Sequence, residues 1–228
     1  MKNNKLIKTL TMSATVLFLY VLNTLAVSPV ISNIVLRSSI SNAHIIEILL
    51  YLSGLLPVIA TFVGYAFIIY EITFDSVRGS FSLLIGYQTV CFVALVFSLI
   101  MGYVNAGSLP SGDEFTYNML TLLLNFILIA VMMYAVVYAT HLIKKKTESP
   151  TRIMLMATLA AAIFEGIKQL VIELTYIIPF LLDYAPDISG DEVISMLISL
   201  LWAIMVFAVG YAVTHFALKI LNNRKTAA

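Results

Sequence analysis

The chain has 228 residues, of which 61% are hydrophobic and only 11% charged, with a formal net charge of +1 and a mean hydropathy of +1.00. A soluble domain is nearer half apolar and a quarter charged, so the composition excludes an ordinary soluble fold and leaves no room for a sizeable soluble domain. The small net charge gives no indication of nucleic-acid binding, and the single cysteine, Cys91, excludes an internal disulfide.

Six apolar stretches predict six transmembrane helices, because a helix needs about 20 apolar residues to cross a bilayer. In chain order they cover approximately residues 7–27, 46–70, 81–104, 117–142, 153–182 and 193–218. Turn-forming or charged breaks separate them, beginning with Ser28–Pro29. The runs are continuously apolar, which is typical of helices rather than barrel strands. The predicted fold class is therefore an all-α, polytopic membrane protein, with residues 1–228 as one integral membrane domain.

The basic residues predict the orientation of the spans. If both termini are cytoplasmic, 11 of the 13 lysines and arginines lie on the inner side, Arg37 lies outside and Lys168 lies within a span. The outer loops then carry acidic residues, namely Asp113, Glu114, Asp183, Asp187, Asp191 and Glu192. This asymmetry follows the positive-inside rule and predicts a multi-pass protein of the cell (cytoplasmic) membrane.

The first span has a second interpretation. Lys2, Lys5 and Lys8 precede an apolar run that ends in "NTLAVS", so a signal peptide cleaved near Ala26 is an alternative. An uncleaved helix is favoured because its removal would leave the second span without a hairpin partner.

Internal similarity suggests repeated two-helix hairpins. "SGDE" occurs at 111–114 and at 189–192, each time before a span, and "YAVVYATH" (134–141) parallels "FAVGYAVTH" (207–215). A fainter copy, "FVGYAF", stands at 62–67. Coincidence within a biased alphabet is the alternative. Copies of a hairpin run parallel, so the pattern does not support the inverted repeats of many secondary transporters.

The fifth span contains the main candidate site, in the segment "FEGIKQLVIE". Its polar residues Glu165, Lys168, Gln169 and Glu173 have the spacing i, i+3, i+4 and i+8, which is one face of a helix. At 1.5 Å per residue, Glu165 and Lys168 lie roughly 20–24 Å from Arg152, near the middle of the bilayer. An unpaired charge there costs at least about 2.5–3.5 kcal/mol, so this face is expected to point into the bundle.

Two interpretations of this polar centre remain open. Pairing of Glu165 with Lys168 and of Gln169 with Glu173 within the helix could serve structure alone. Alternatively, the carboxylates and the amine form an ion or proton relay, or a site for a polar substrate. Side chains on other spans that could support the centre are Gln88, Asn125, Tyr138 and Tyr211, together with Asn23, Thr61 and Tyr65.

Two further groups of polar residues lie near the ends of the spans. His141 and His215 close equivalent helices and are weak metal candidates, because they lack the spacing of known metal motifs. The run Lys144, Lys145 and Lys146 is expected to contact anionic lipid head groups. No metal or cofactor is predicted.

No motif for ATP hydrolysis or for a membrane serine protease is present, so an enzyme is not predicted. The leading hypothesis is a transporter- or permease-like protein for a small solute or ion. The alternative is a non-transporting membrane subunit, sensor or assembly partner. The expected partners are the lipid bilayer and either further copies of the chain or a larger membrane complex, with no nucleic acid.

Overall fold

The computed structural model describes residues 2–37, 42–75, 77–107, 111–184 and 188–226. All regular secondary structure in these ranges is helical. The helices are α1 (Lys2–Leu22), a π-helical turn (Asn23–Val27), α2 (Ser28–Arg37), α3 (Ala43–Ser53), α4 (Leu55–Phe74), α5 (Val77–Ala106), α6 (Gly112–Lys146), α7 (Pro150–Tyr184) and α8 (Gly190–Thr226).

Six helical stretches of the described chain are long and apolar enough to cross a membrane. They are Leu6–Val35, Ala43–Phe74, Ser80–Val104, Gly112–Lys146, Pro150–Leu182 and Gly190–Asn223. The prediction of an all-α protein with six candidate spans is therefore confirmed. Several of the stretches extend well beyond the predicted bounds, because polar residues continue the helices at their ends.

The first span continues past the predicted break at Ser28–Pro29, which is a correction to the sequence interpretation. The turn Asn23–Val27 is π-helical, and the backbone N–H of Ser28 donates to the carbonyl of Asn23. Proline has no N–H to donate and normally interrupts a helix. The π turn shifts the hydrogen-bond register just before Pro29, and α2 then runs to Arg37.

The second span is divided into α3 and α4. The division falls at Gly54, three residues before Pro57, whose missing N–H leaves the preceding turn without one hydrogen bond. A Cβ at Gly54 would lie 3.6 Å from the ring of Trp202 of α8. The change of helix lets Tyr51 stack on Trp202, with 5.2 Å between ring centroids.

Helix α4 forms the centre of the bundle and contacts α1, α3, α5, α6, α7 and α8. Most of its residues from Ala60 to Thr73 are buried. A helix that is apolar all round is expected in such an enclosed position. Neighbouring helices approach it closely at two glycines, because a Cβ on Gly64 would overlap the ring of Tyr87 and a Cβ on Gly210 the ring of Phe62.

The bundle has two ends, which we call the near end and the far end. At the near end α1 begins and α4, α6 and α8 end, and at the far end α3, α6 and α8 begin. Lys8 pairs with Glu71 at 2.7 Å at the near end. At the far end, Ser111 and Ser189 accept hydrogen bonds from the N–H groups of Glu114 and Glu192. In both "SGDE" segments the serine therefore caps the N-terminus of a helix. Capping alone would favour this tetrapeptide, whether or not the hairpins arose by duplication.

Candidate functional site: a polar cavity in the middle of the bundle

Glu165 of α7 is only 3% exposed and has partners for both carboxylate oxygens. The hydroxyl of Tyr65 on α4 donates to Oε1, and the ammonium group of Lys168 contacts Oε2 from one turn farther along α7. A buried charge needs such pairing, because an isolated one is strongly disfavoured in an apolar interior. The arrangement therefore neutralises the carboxylate while linking α7 to the central helix.

The pair faces a cavity of about 340 Å³. Each of the six spans contributes to its wall. The polar side chains of the wall are Tyr20, Asn23, Thr24, Thr61, Ser98, Asn125, Glu165, Lys168 and Gln169. The volume lies within the range of small-molecule sites. It equals the space of about ten water molecules, and the wall offers them both donors and acceptors.

Two further cavities adjoin this central cavity on the side of the far end. One, of about 440 Å³, shares Asn23, Thr24 and Ser98 with it and continues along the polar side chains of α2. The other, of about 400 Å³, shares Ser98 and Asn125 and continues along α5 and α6. Together we call these two cavities the vestibule. Through these shared wall residues they lie between the central cavity and the far end of the bundle.

The backbone is irregular beside the central cavity. Asn23 and Thr24 belong to the π turn, and Pro57 follows the division between α3 and α4. Non-helical backbone at membrane depth is tolerated where it is buried in protein or lines a water-filled cavity. Single π turns inside α-helices are also frequent at functional sites.

Toward the near end the cavity is closed by packed side chains. The rings of Phe62 and Tyr65 meet edge to face at 5.7 Å, and Tyr87 lies 6.5 Å from Tyr65. Ala157 and Ala161 are fully buried one to two turns from Glu165 on α7.

Glu173 lies in a separate environment from Glu165. Its Oε1 accepts a hydrogen bond from Gln169 at 2.6 Å, and its Oε2 accepts one from the hydroxyl of Tyr51 at 3.2 Å. The same hydroxyl lies 2.8 Å from Oγ of Ser199 on α8. The structure thus brings Glu165, Lys168 and Gln169 to one cavity and directs Glu173 to the contact among α3, α7 and α8.

The predicted supporting residues occupy different places. Asn125 lines the central cavity. Gln88 is outside its wall, and Nε2 of Gln88 is buried without a hydrogen-bond partner among the described residues. Tyr138 is 65% exposed on the outer face of α6. Tyr211 stacks on His215, with ring centroids 6.1 Å apart.

The residues predicted at the span ends also differ from one another. Lys144 donates to the backbone carbonyls of Ile72 and, at 2.7 Å, of Asp75, so it binds the end of α4. Lys145 and Lys146 are exposed and, unlike Lys144, do not bind the end of α4. The described residues include no group of three metal-ligand side chains around His141 or His215.

Two acidic residues, of which Glu71 is buried and Glu47 only partly so, were not singled out from the sequence. Glu71 is 1% exposed and pairs with Lys8, and Glu47 lies 3.5 Å from Ser199. Both stand within or beside the second span, next to long apolar runs. That position was the signal that could have revealed them, as it did for Glu165.

Comparisons of the chain with protein-family models, with curated proteins and with solved structures found no match.

Proposed function

We propose that the chain is a membrane transporter that binds a small polar solute in the central cavity. The observation that carries the proposal is the position of the Glu165–Lys168 pair in a cavity whose wall includes all six spans. A pair that served structure alone would be expected to pack dry between two helices. Here the pair faces a volume large enough for a small molecule.

The chemistry of the wall favours a neutral or zwitterionic solute. Glu165 and Lys168 contribute opposite charges, and the other polar groups are hydroxyls and amides. A lone anion or cation would attract one member of the pair and be repelled by the other. A molecule with both an acidic and a basic group, or with several hydroxyls, could exchange hydrogen bonds with both.

Access to the central cavity from one end at a time is supported by two features. Packed aromatic side chains close its near side, and the vestibule lies on its far side. Movement of α4 against α5 and α8 would open the near side, since the close contacts at Gly64 and Gly210 lie on those interfaces. Transport by exposing one site alternately to either end needs such a gate.

The orientation and origin of the bundle are part of the proposal. Lys8, Lys144–Lys146, Arg152 and Lys219 belong to the near end, whereas Asp113, Glu114, Asp191 and Glu192 belong to the far end. By the positive-inside rule the near end is cytoplasmic, in the cell membrane, and the vestibule opens outward. Duplication of a hairpin remains a hypothesis for the origin of the last two hairpins.

Uptake into proteoliposomes tests the function. Radiolabelled neutral and zwitterionic solutes are screened first, and Glu165→Gln and Lys168→Met are then compared with wild type for any solute that accumulates. Loss of uptake in both variants, with Tyr138→Phe unchanged as the matched surface control, is expected. Uptake that both variants retain would reject the central site. Absence of flux together with stoichiometric co-purification of a larger protein would favour the role of a non-transporting subunit.

A further inference from the structure

A second cleft lies at the far end and shares no wall residue with the vestibule. Its volume is about 590 Å³, and it is formed by the start of α3, the last turns of α7 and the start of α8. Its polar wall includes His44, Asp191, Ser195 and Ser199. His44 lies 3.6 Å from Asp191 and 3.3 Å from Ser195, so polar side chains of α3 and α8 meet in the wall of the cleft.

Hydrogen bonds continue from this cleft into the bundle. Ser199 of its wall lies 2.8 Å from the hydroxyl of Tyr51, and that hydroxyl donates to Glu173 at 3.2 Å. Glu173 is only 8% exposed. A carboxylate below the surface is thus connected to the cleft by two hydroxyl groups, each of which can donate and accept a proton.

One side chain separates Glu173 from the central cavity. Gln169 donates from Nε2 to Glu173 at 2.6 Å and also lines the cavity beside Lys168. An amide does not take up a proton at neutral pH, so the series of proton-accepting groups ends at Glu173. Protons that enter from the cleft therefore stop one residue short of the solute site.

We propose that Ser199, Tyr51 and Glu173 form a proton route from the far-end cleft, separate from the vestibule that admits the solute. A hydronium ion in the cleft gives a proton to Ser199 and becomes water, Ser199 passes a proton to Tyr51, and Tyr51 passes one to Glu173. Each hydroxyl gains one proton and loses one, so the net change is protonation of the Glu173 carboxylate. The route stands on the hydrogen bonds alone, whereas its use in coupling rests on the proposed function.

Protonation of Glu173 would act on the central cavity through Gln169. A hydrogen bond to an ionised carboxylate is roughly twice as strong as one to a neutral group. Neutral Glu173 therefore holds the Gln169 amide less firmly, which leaves that amide available to a solute beside Lys168. The proton is in this way the coupling ion for the solute.

The charged or titratable groups on the helices that pack against α7 toward the far end must be considered in any pH dependence of the route. From α3 these are Tyr51, Glu47 and, at the cleft mouth, His44; from α8 they are Asp191 and Glu192; α6, which also packs against α7, carries Asp113 and Glu114 at this end. Protonated His44 would weaken proton entry by repulsion, and the acidic groups would favour it.

Infrared spectroscopy of the full chain in lipid nanodiscs after a pH jump tests the route. The carboxyl band that Glu173→Gln removes is assigned to Glu173, and should that variant not fold, Glu173→Asp shifts the band instead. Tyr51→Phe and Ser199→Ala are expected to slow the appearance of the band roughly a hundredfold, the lower range of the effect of a positioned proton donor. Tyr138→Phe, on the exposed face of α6, is expected to leave the rate unchanged.

An unchanged rate in Tyr51→Phe, or a Glu173 band that does not respond to pH, would overturn the route. The measurement needs no solute. A failed transport assay alongside a titrating, Tyr51-dependent Glu173 would therefore reject the proposed function and leave the proton route standing.

Discussion

The two halves of the bundle differ in how they treat polar groups. In the near half, fully buried apolar side chains surround α4, and the Lys8–Glu71 pair lies at the edge of this packed region. In the far half, cavities lined in part by polar side chains include Ser98 and Glu165 in their walls. Glu71, the buried carboxylate of the near half, pairs with Lys8 at the edge of the bundle. Glu165 contacts Tyr65 and Lys168 and also faces a cavity with room for water or solute.

The same helix serves both halves. The first turns of α4, which include Pro57 and Thr61, line the central cavity, while its later turns from Tyr65 onward are enclosed by five neighbouring helices. The boundary falls where the rings of Phe62, Tyr65 and Tyr87 pack together. Whether a polar group is accessible to water therefore depends more on its position along the axis of α4 than on its residue type.

Cysteine accessibility gives the largest expected contrast between the halves. Ser98 lines all three cavities, whereas Cys91, two turns nearer the aromatic side chains, is fully buried. In a Cys91→Ala background, Ser98→Cys is expected to react completely with a water-soluble maleimide, measured by intact mass. The wild-type protein, with Cys91 as its single thiol, is the matched control and should stay unmodified. Equal labelling of the two proteins would contradict the access of water to the cavities of the far half.

Removal of one partner from the central pair is expected to have the next largest effect. Lys168→Met leaves the Glu165 carboxylate without its ammonium partner, and breaking a buried pair costs about 3 kcal/mol of unfolding free energy. The double variant Glu165→Gln with Lys168→Met removes both charges and should recover most of that stability. Unfolding in detergent measures both. If the single and double variants were equally stable, the pair would carry no buried charge.

The close helix contacts of α4 are expected to have a moderate effect. Gly64→Ala and Gly210→Ala place a methyl group against the rings of Tyr87 and Phe62, and such overpacking costs about 1–3 kcal/mol. Gly102→Ala is the matched control, since nothing lies within 4 Å of a Cβ there. Thermal unfolding should show lower stability for the first two variants only. Equal melting temperatures for all three variants would contradict the tight packing of α5 and α8 against α4.

The smallest expected effect concerns the near end. Lys144→Gln loses charge-assisted hydrogen bonds to the last carbonyls of α4 and should cost about 1.5 kcal/mol of unfolding free energy. The neighbouring Lys145→Gln, on an exposed residue, should stay within about 0.5 kcal/mol of wild type. Comparable losses in the two variants would indicate that both lysines act through lipid head groups, as the sequence had suggested.

The sequence was sufficient for the span count and for the position of the polar segment. Length and apolar content decide whether a helix can cross a bilayer, and Glu165 and Lys168 stand far from either end of their span. The helical periodicity also predicted that Glu165, Lys168 and Gln169 share a face, and they line one cavity. These are local properties, since they depend only on residue spacing along one helix.

Tertiary structure decided which side chains on other helices meet that face. Tyr65, Tyr138 and Tyr211 are equally plausible partners by sequence, yet the packing of α4 directs only Tyr65 to Glu165 and leaves Tyr138 on the outer surface. Glu173 shares the helix face but meets Tyr51, because α3 departs from α4 at Gly54. The residue pattern of a helix determines which of its faces can be buried. The side chains that this face contacts are determined by the rotation and approach of the neighbouring helices, which depend on contacts between residues distant in the chain.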